Sequence, residues 1–235
     1  MIRATLLFVT LAAAPGWTQS VSPAEALASG RAALTAGDVN TAVTVFEQVV
    51  AQAPAWELGH LQLGVALRLQ GNGGVEQARV HLSRAVQLAP NNARAQHELG
   101  LVCEDLGDTP AAIAAFGRAL ELRPDLVDAR FRLATLVRAS DETRAVQLYG
   151  EVLAAEPQHL GALTALAQIY EFRGELVQAE SALHTIVQVQ SANAYPLYEL
   201  ARFYERQGEG RKARDAYARA ARVDPKPPRR MRALK

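Results

Sequence analysis

One spacing recurs six times along this chain, and it constrains the fold more than any other property. A small residue (Gly30, Gly64, Gly100, Ala134, Ala167, Ala201) is followed by an alanine (Ala42, Ala78, Ala112, Ala145, Ala179, Ala213). Twelve residues beyond each alanine stands Pro54, Pro90, Pro124, Pro157, Ser191 or Pro225, and ten more lead to the next small residue. The unit is 34 residues long. A fixed period of about 20–50 residues belongs to stacked repeats, since one such unit is too small to bury its own apolar face.

The only variable interval lies between the small residue and the alanine: 12 residues in four units, 14 in the second and 11 in the fourth. Both irregularities fall at turn-forming residues, Gly71-Asn72-Gly73-Gly74 and Ser140-Asp141-Glu142. A turn absorbs such changes, whereas inside a helix they would rotate every later side chain off its face. Each unit is therefore expected to be helix, turn, helix, with the proline ending the second helix because it lacks an N–H and restrains the residue before it.

The residue sizes explain the packing. Gly or Ala lets two helix backbones approach, and a large side chain four residues after each alanine fills the space beside them: Phe46, Leu82, Phe116, Tyr149, Leu183 and Tyr217. Helix starts are legible as well. Ser22-Pro23 with Glu25 has the form of a capping box, and Asp108-Thr109-Pro110 places a proline in a first turn.

The 34-residue unit with Leu63-Gly64, Leu99-Gly100, an alanine twelve or so residues later and a closing proline resembles the tetratricopeptide repeat. The match runs over residues 23–225, as units 23–56, 57–92, 93–126, 127–159, 160–193 and 194–225. Its departures are Ser191 for a closing proline, and Ala26, His60, Gln96, Arg130, Leu163 and Leu197 where that family carries an early tryptophan. The resemblance implies an all-α fold, an α-solenoid wound as a right-handed superhelix, with the first helix of each unit lining a concave groove.

Carried onto this chain, the groove lining implied is Leu58, Leu61, Val65 and Leu69 in the second unit and Arg94, His97, Leu101 and Glu104 in the third. The fourth adds Phe131, Thr135 and Arg138, and the last two Thr164, Gln168, Glu171, Tyr195, Tyr198, Arg202 and Glu205. Leu61, Leu101, Phe131 and Tyr198 need not be apolar for packing, so an exposed apolar row is one expectation. It would seat an extended peptide or amphipathic helix of a protein partner, fixed by Arg132, Tyr198 or Arg202. The other expectation is that the repeats curl enough to bury several of these residues against each other. Arrays that clamp a terminal carboxylate carry Lys, Asn, Asn, Lys and Arg at set groove places. The matching places here hold mostly Leu, Val, His and Glu, which argues against that mode.

Before the repeats, Met1-Ile2-Arg3 precedes the apolar run Ala4 to Ala14 and then Pro15-Gly16-Trp17. A positive start, a short apolar run and a small-residue break have the form of a secretory signal peptide over residues 1–20, with Gly16 or Ser20 as the cleavage point. Eleven helical residues would reach about 17 Å against a bilayer core of about 30 Å, too short for a span. The expected location is periplasmic or secreted.

Composition fits a helical solenoid, with 49% hydrophobic and 21% charged residues. The single cysteine, Cys103, excludes an internal disulfide framework and sits at the bulky inward place held elsewhere by Leu67, Val137, Tyr170 and Tyr204. The net charge of +1 hides an asymmetry: residues 21–201 carry twelve Lys/Arg against twenty acids, and residues 202–235 twelve against four. A charged last helix caps a solenoid. The basic tail, residues 226–235 with Lys226, Arg229, Arg230, Arg232 and Lys235, is additionally a candidate contact for an anionic surface. Nucleic acid is not expected, because this basic region lacks interleaved aromatics.

Catalysis is not expected either. His60, His81, His97, His159 and His184 have no second ligand three or four residues on, so no metal site is indicated. Residues 71–74 are not followed by Lys-Ser or Lys-Thr, and Glu104/Asp105 and Asp141/Glu142 are adjacent pairs that diverge on a helix. No catalytic residue and no cofactor is called for. The expected function is a non-catalytic adaptor of the cell envelope. Periplasmic members of the resembled family help to assemble pili and secretins, cytochromes or envelope machines. The alternative is a cytoplasmic regulator or co-chaperone with an uncleaved start.

Overall fold

The computed structural model describes residues 21–71 and 73–224. The leader expected over residues 1–20, Pro225 and the basic tail 226–235 lie outside the described residues. Among the described residues there are twelve helices and no strand. They come in pairs: α1 (Pro23–Thr35) with α2 (Val39–Gln52), α3 (Glu57–Gln70) with α4 (Gly74–Leu88), and α5 (Ala93–Asp105) with α6 (Thr109–Leu122). The later pairs are α7 (Val127–Val137) with α8 (Glu142–Ala155), α9 (Leu160–Phe172) with α10 (Leu176–Val189), and α11 (Tyr195–Arg206) with α12 (Gly210–Val223). Each helix packs chiefly on the one before and the one after it, and α3 also touches α1 and α5. This is an all-α solenoid.

Small residues set how closely the pairs approach. A Cβ on Gly30 would fall 2.4 Å from the Phe46 ring, and one on Gly64 2.5 Å from Leu82 Cγ. Phe46, Leu82, Phe116 and Tyr149 are buried at the centres of their pairs. In the fourth pair the small residue is Ala134, and the Tyr149 hydroxyl reaches Thr135 Oγ1 at 3.1 Å. The Thr135 hydroxyl already donates to the Phe131 carbonyl at 3.0 Å, so the tyrosine is the donor.

The turns repeat too. Gly37, Gly107, Gly174 and Gly208 hold φ between 73° and 80°, a left-handed conformation that costs glycine nothing. Behind each, the next N–H reaches five residues back: Asp38 to the Ala33 carbonyl at 2.9 Å, Asp108 to Cys103 at 2.8 Å, Glu175 to Tyr170 at 2.8 Å and Glu209 to Tyr204 at 2.9 Å. That is the Schellman closure of a helix C-terminus. Asp38 and Asp108 then open the following helix by accepting the Thr41 and Ala111 N–H groups. One residue thus ends one helix and begins the next. In the short fourth unit Asp141 has φ −146°, its N–H bonds Val137 at 2.8 Å, and it caps α8 through the Arg144 N–H.

Four second helices stop two residues before a proline, and the residue between is driven to ψ of 68° to 91° at Ala53, Ala89, Arg123 and Glu156. Where Ser191 stands instead, Gln190 relaxes to ψ 44°. At the C-terminal end, α12 buries only Ala213, Ala216 and Ala220 and turns its arginines outward.

Candidate partner-binding groove

Polar contacts tie the first helices α3, α5 and α7 to one another, and α9 to α11. Arg68 on α3 lies 3.5 Å from Asp105 and 3.9 Å from Glu98, both on α5. His97 Nε2 on α5 lies 2.8 Å from Asp128 on α7, and Arg132 on α7 reaches back to Glu104 at 3.0 Å. Arg206 on α11 grips Glu171 on α9 through two bonds of 2.7 and 2.9 Å. Burial pushes the Asp128 carboxyl up, but the hydrogen bonds from His97 and Arg132 outweigh it and hold it below its usual range. The bonds to Glu171 hold the Arg206 guanidinium proton more tightly than usual despite its partial burial. No such pair joins α7 to α9 among the described residues.

At that junction the wall opens. A cavity of 350 Å³ is lined by Phe131, Thr135 and Arg138 from α7 and its C-cap, Tyr149 from α8, and Leu160, Gly161, Thr164, Ala165 and Gln168 from α9. A second, of 320 Å³, shares Thr164 and Gln168 and runs on to Glu171, Leu183, Ile186, Gln190, Tyr195, Pro196, Glu199 and Arg206. Lying side by side on Thr164 and Gln168, the cavities together make a trough across α7, α9 and α11. Its floor is apolar, and its rim carries an amide, a hydroxyl and opposite charges.

Seven of the groove residues expected from sequence line these cavities: Phe131, Thr135, Arg138, Thr164, Gln168, Glu171 and Tyr195. Phe131 is half-buried between Tyr149 and His159, with ring centroids 5.8 and 4.6 Å away. Thr135, Arg138 and Gln168 are exposed. His97 is occupied by Asp128 and the Phe116 ring, and the exposed Arg202 by Glu199 at 3.3 Å.

The exposed apolar row is corrected. Leu61 is 1% exposed, Val65 9%, Leu101 7% and Tyr198 5%, so these are core side chains and only Phe131 of the row faces the trough. The cause is the approach of α3 to both α1 and α5, which closes the inner wall of the early repeats, and the tilted packing of the Tyr198 ring against Tyr217, centroids 6.1 Å apart, in the last. The curled alternative is the one observed at these four positions.

Sequence reasoning missed the contribution of Gly161. Six residues before each small residue the other groove helices carry Leu58, Arg94, Asp128 or Tyr195, whereas α9 carries a glycine. A Cβ on Gly161 would fall 2.6 Å from Phe131 Cζ, so the missing side chain is what admits the ring. It also missed a histidine pair on the far side of α3. His60 Nε2 lies 3.1 Å from the Pro54 carbonyl, so that nitrogen carries the proton and His60 Nδ1 accepts from His81 Nδ1–H at 3.0 Å. The spacing of 21 residues gives no helical-face signal, and the pair borders a 430 Å³ cavity with Arg79 and Arg84.

Three family models, each described as a tetratricopeptide repeat, match residues 63–127 and 104–141, residues 136–190, and residues 197–230. Among curated proteins, the Protein CTR9 homolog of Arabidopsis thaliana is 27% identical over 199 residues, 81% of this chain and 18% of that protein. Protein O-mannosyl-transferase Tmtc3 of Drosophila melanogaster is 30% identical over 135 residues, 54% of this chain and 14% of its own length. The chain spans less than a fifth of either relative. Among solved structures, PilF of Pseudomonas aeruginosa superposes with a TM-score of 0.72 at 16% identity, covering 91% of this chain and 97% of that one. PilW, described as a widely conserved type IV pilus biogenesis factor, gives 0.70 at 19%, covering 91% and 98%. YrrB, described as a TPR protein with an unusual peptide-binding site, gives 0.63 at 16%, covering 77% and 92%. At these identities the likeness is one of fold.

Proposed function

This chain belongs to the tetratricopeptide repeat family, and on that premise we propose that it is a non-catalytic scaffold that holds a segment of a protein partner in the trough across α7, α9 and α11. The observation that carries this reading is that two cavities meet on Thr164 and Gln168, which line both. Together they offer a cleft with an apolar floor and polar rim, the composition of a protein-binding site. YrrB carries a peptide-binding site on the same fold, which supports a peptide as the kind of occupant.

Within this reading the scaffold works in the cell envelope, in the assembly of an envelope complex. The support is the signal-peptide form of residues 1–20 together with the fold shared with PilW, a type IV pilus biogenesis factor. Mass spectrometry of the purified native protein tests the location: a mature N-terminus between residues 17 and 21 is expected, and an intact Met1 would place the protein inside the cell as a regulator instead.

The groove itself is tested by a photo-crosslinking residue placed at Gln168, with Glu47 on the exposed face of α2 as the control site. Crosslinks in living cells to one defined segment of a protein are expected from position 168 and not from position 47. Equal labelling from both would rule the trough out.

A further inference from the structure

Resting on that groove reading, we infer that the segment bound across α7 and α9 is an extended peptide that presents an aspartate or glutamate side chain to Arg138, with an apolar side chain next to it. The inference comes from one place in the repeat, four residues after the small residue. That place holds Arg68, Glu104, Arg138, Glu171 and Glu205 from the second unit onward. Four of the five have a charged or hydrogen-bonding partner within the molecule. Arg68 has Asp105 and Glu98, Glu104 has Arg132, Glu171 has Arg206, and Glu205 accepts the Tyr217 hydroxyl at 2.8 Å. Arg138 has neither an ion pair nor a hydrogen-bond partner among the described residues.

The reason can be read residue by residue. The carboxylates that serve Arg68 stand two residues before and five after the small residue of the next unit. In the unit after Arg138 those two places are Ala165 and Phe172. Ala165 lines the same cavity as Arg138, and Phe172 is 88% exposed at the end of α9. The chain thus leaves the exposed Arg138 guanidinium without the two acids that serve Arg68, beside a cavity lined by Phe131, Leu160 and Ala165.

A guanidinium beside apolar surface favours a carboxylate, since the charge-assisted bond strengthens as water is excluded. Phe131, Leu160 and Ala165 provide the surface for a neighbouring apolar side chain. Gln168 and Thr164 are uncharged groups able both to donate and to accept, which suits the alternating N–H and C=O of an extended main chain. A helix would keep those groups for itself. The trough continues past Gln168 to α11, so a strand passes through and the acid is an internal side chain, not a chain terminus.

The test uses the whole mature chain and random dodecapeptides displayed on phage through their C-termini, so that no terminal carboxylate is present. The expected selection is a consensus with Asp or Glu within two residues of Leu, Ile, Met or Phe. By fluorescence anisotropy the selected peptide should bind Arg138→Ala about tenfold more weakly, the worth of one charge-assisted hydrogen bond. Phe172→Asp, which recreates the arrangement at Asp105, should also weaken it, and Arg138→Glu should select lysine or arginine in place of the acid. Both positions are exposed, so an unchanged circular dichroism spectrum will confirm that the variants fold. A consensus without an acid, or equal affinity for wild type and Arg138→Ala, overturns the inference while leaving the groove intact. Failure to select any peptide overturns the groove reading and this inference with it.

Discussion

Gly100 lies so close to the ring of Phe116 that a Cβ built on it would fall 2.7 Å from Cε1. Phe116 is fully buried at the centre of the α5–α6 pair, so neither partner can yield without moving a helix. Gly100→Ala gains up to about 1 kcal/mol of helix propensity but meets an overpacking cost of about 1–3 kcal/mol. A net loss of stability is therefore expected, read as a lower urea midpoint. Gly117, one residue beyond that phenylalanine on α6, has nothing within 4 Å of its added Cβ. Gly117→Ala should raise the midpoint. Opposite shifts from two identical chemical changes isolate the close approach as the cause, and a rise in both would refute it.

The turn glycines act through backbone conformation alone. Gly107 sits at φ 73° with nothing within 4 Å of an added Cβ, so Gly107→Ala costs only the left-handed penalty of about 1–2 kcal/mol. Gly107→Asn, whose side chain tolerates that region, should recover part of it. Thermal melts ranking Gly above Asn above Ala are the expected result. Equal melting of Ala and Gly would mean the Schellman closure contributes nothing.

Much of this was legible in the chain. Constant spacing from alanine to proline to small residue located the helix pairs, because only turns tolerate a change of length, and Gly30 with Phe46 announced which side chains meet. The turn glycines were equally visible, seven residues after Gly30, Gly100, Ala167 and Ala201, and needed only to be read against a Schellman closure. The inner wall was harder. Whether Leu61 and Leu101 are exposed depends on how far neighbouring first helices stand apart, a property of superhelical curvature that no local pattern encodes. At the trough α7 and α9 lack ion pairs of the kind that join α3 to α5, α5 to α7 and α9 to α11, and that emerges only when each residue is compared with its counterpart one unit along.

Cys103 should behave as an inert core thiol. It is 3% exposed, and burial followed by the charge of Asp108 pushes its pKa up against the opposing pull of Arg79. A thiol that is both enclosed and protonated reacts slowly. With Ellman's reagent near pH 8, labelling of the folded protein should be slow and should accelerate with urea in step with the loss of helical circular dichroism. Rapid labelling without denaturant would show that α5 opens locally.

Tyr204 links the last two pairs, and its titration should couple to stability at high pH. Its hydroxyl donates to Glu180 at 2.6 Å, His184 Nε2 lies 3.1 Å away, and Lys212 reaches the same carboxylate at 3.1 Å. Burial and then the bond to Glu180 push the Tyr204 pKa up to about 12, and burial with the bond to Glu205 does the same for Tyr217. An unfolded tyrosine titrates near about 10. Between those values the native state holds more protons than the unfolded one, so stability falls as pH rises. The contribution of both hydroxyls is therefore complete below about pH 10 and is lost on the way to about pH 12. Urea midpoints measured across that range should decline for the wild type. The decline should be shallower for Tyr204→Phe, which begins about 1 kcal/mol less stable because the hydrogen bond to Glu180 is gone. Parallel declines in the two proteins would show that Tyr204 carries none of the linkage.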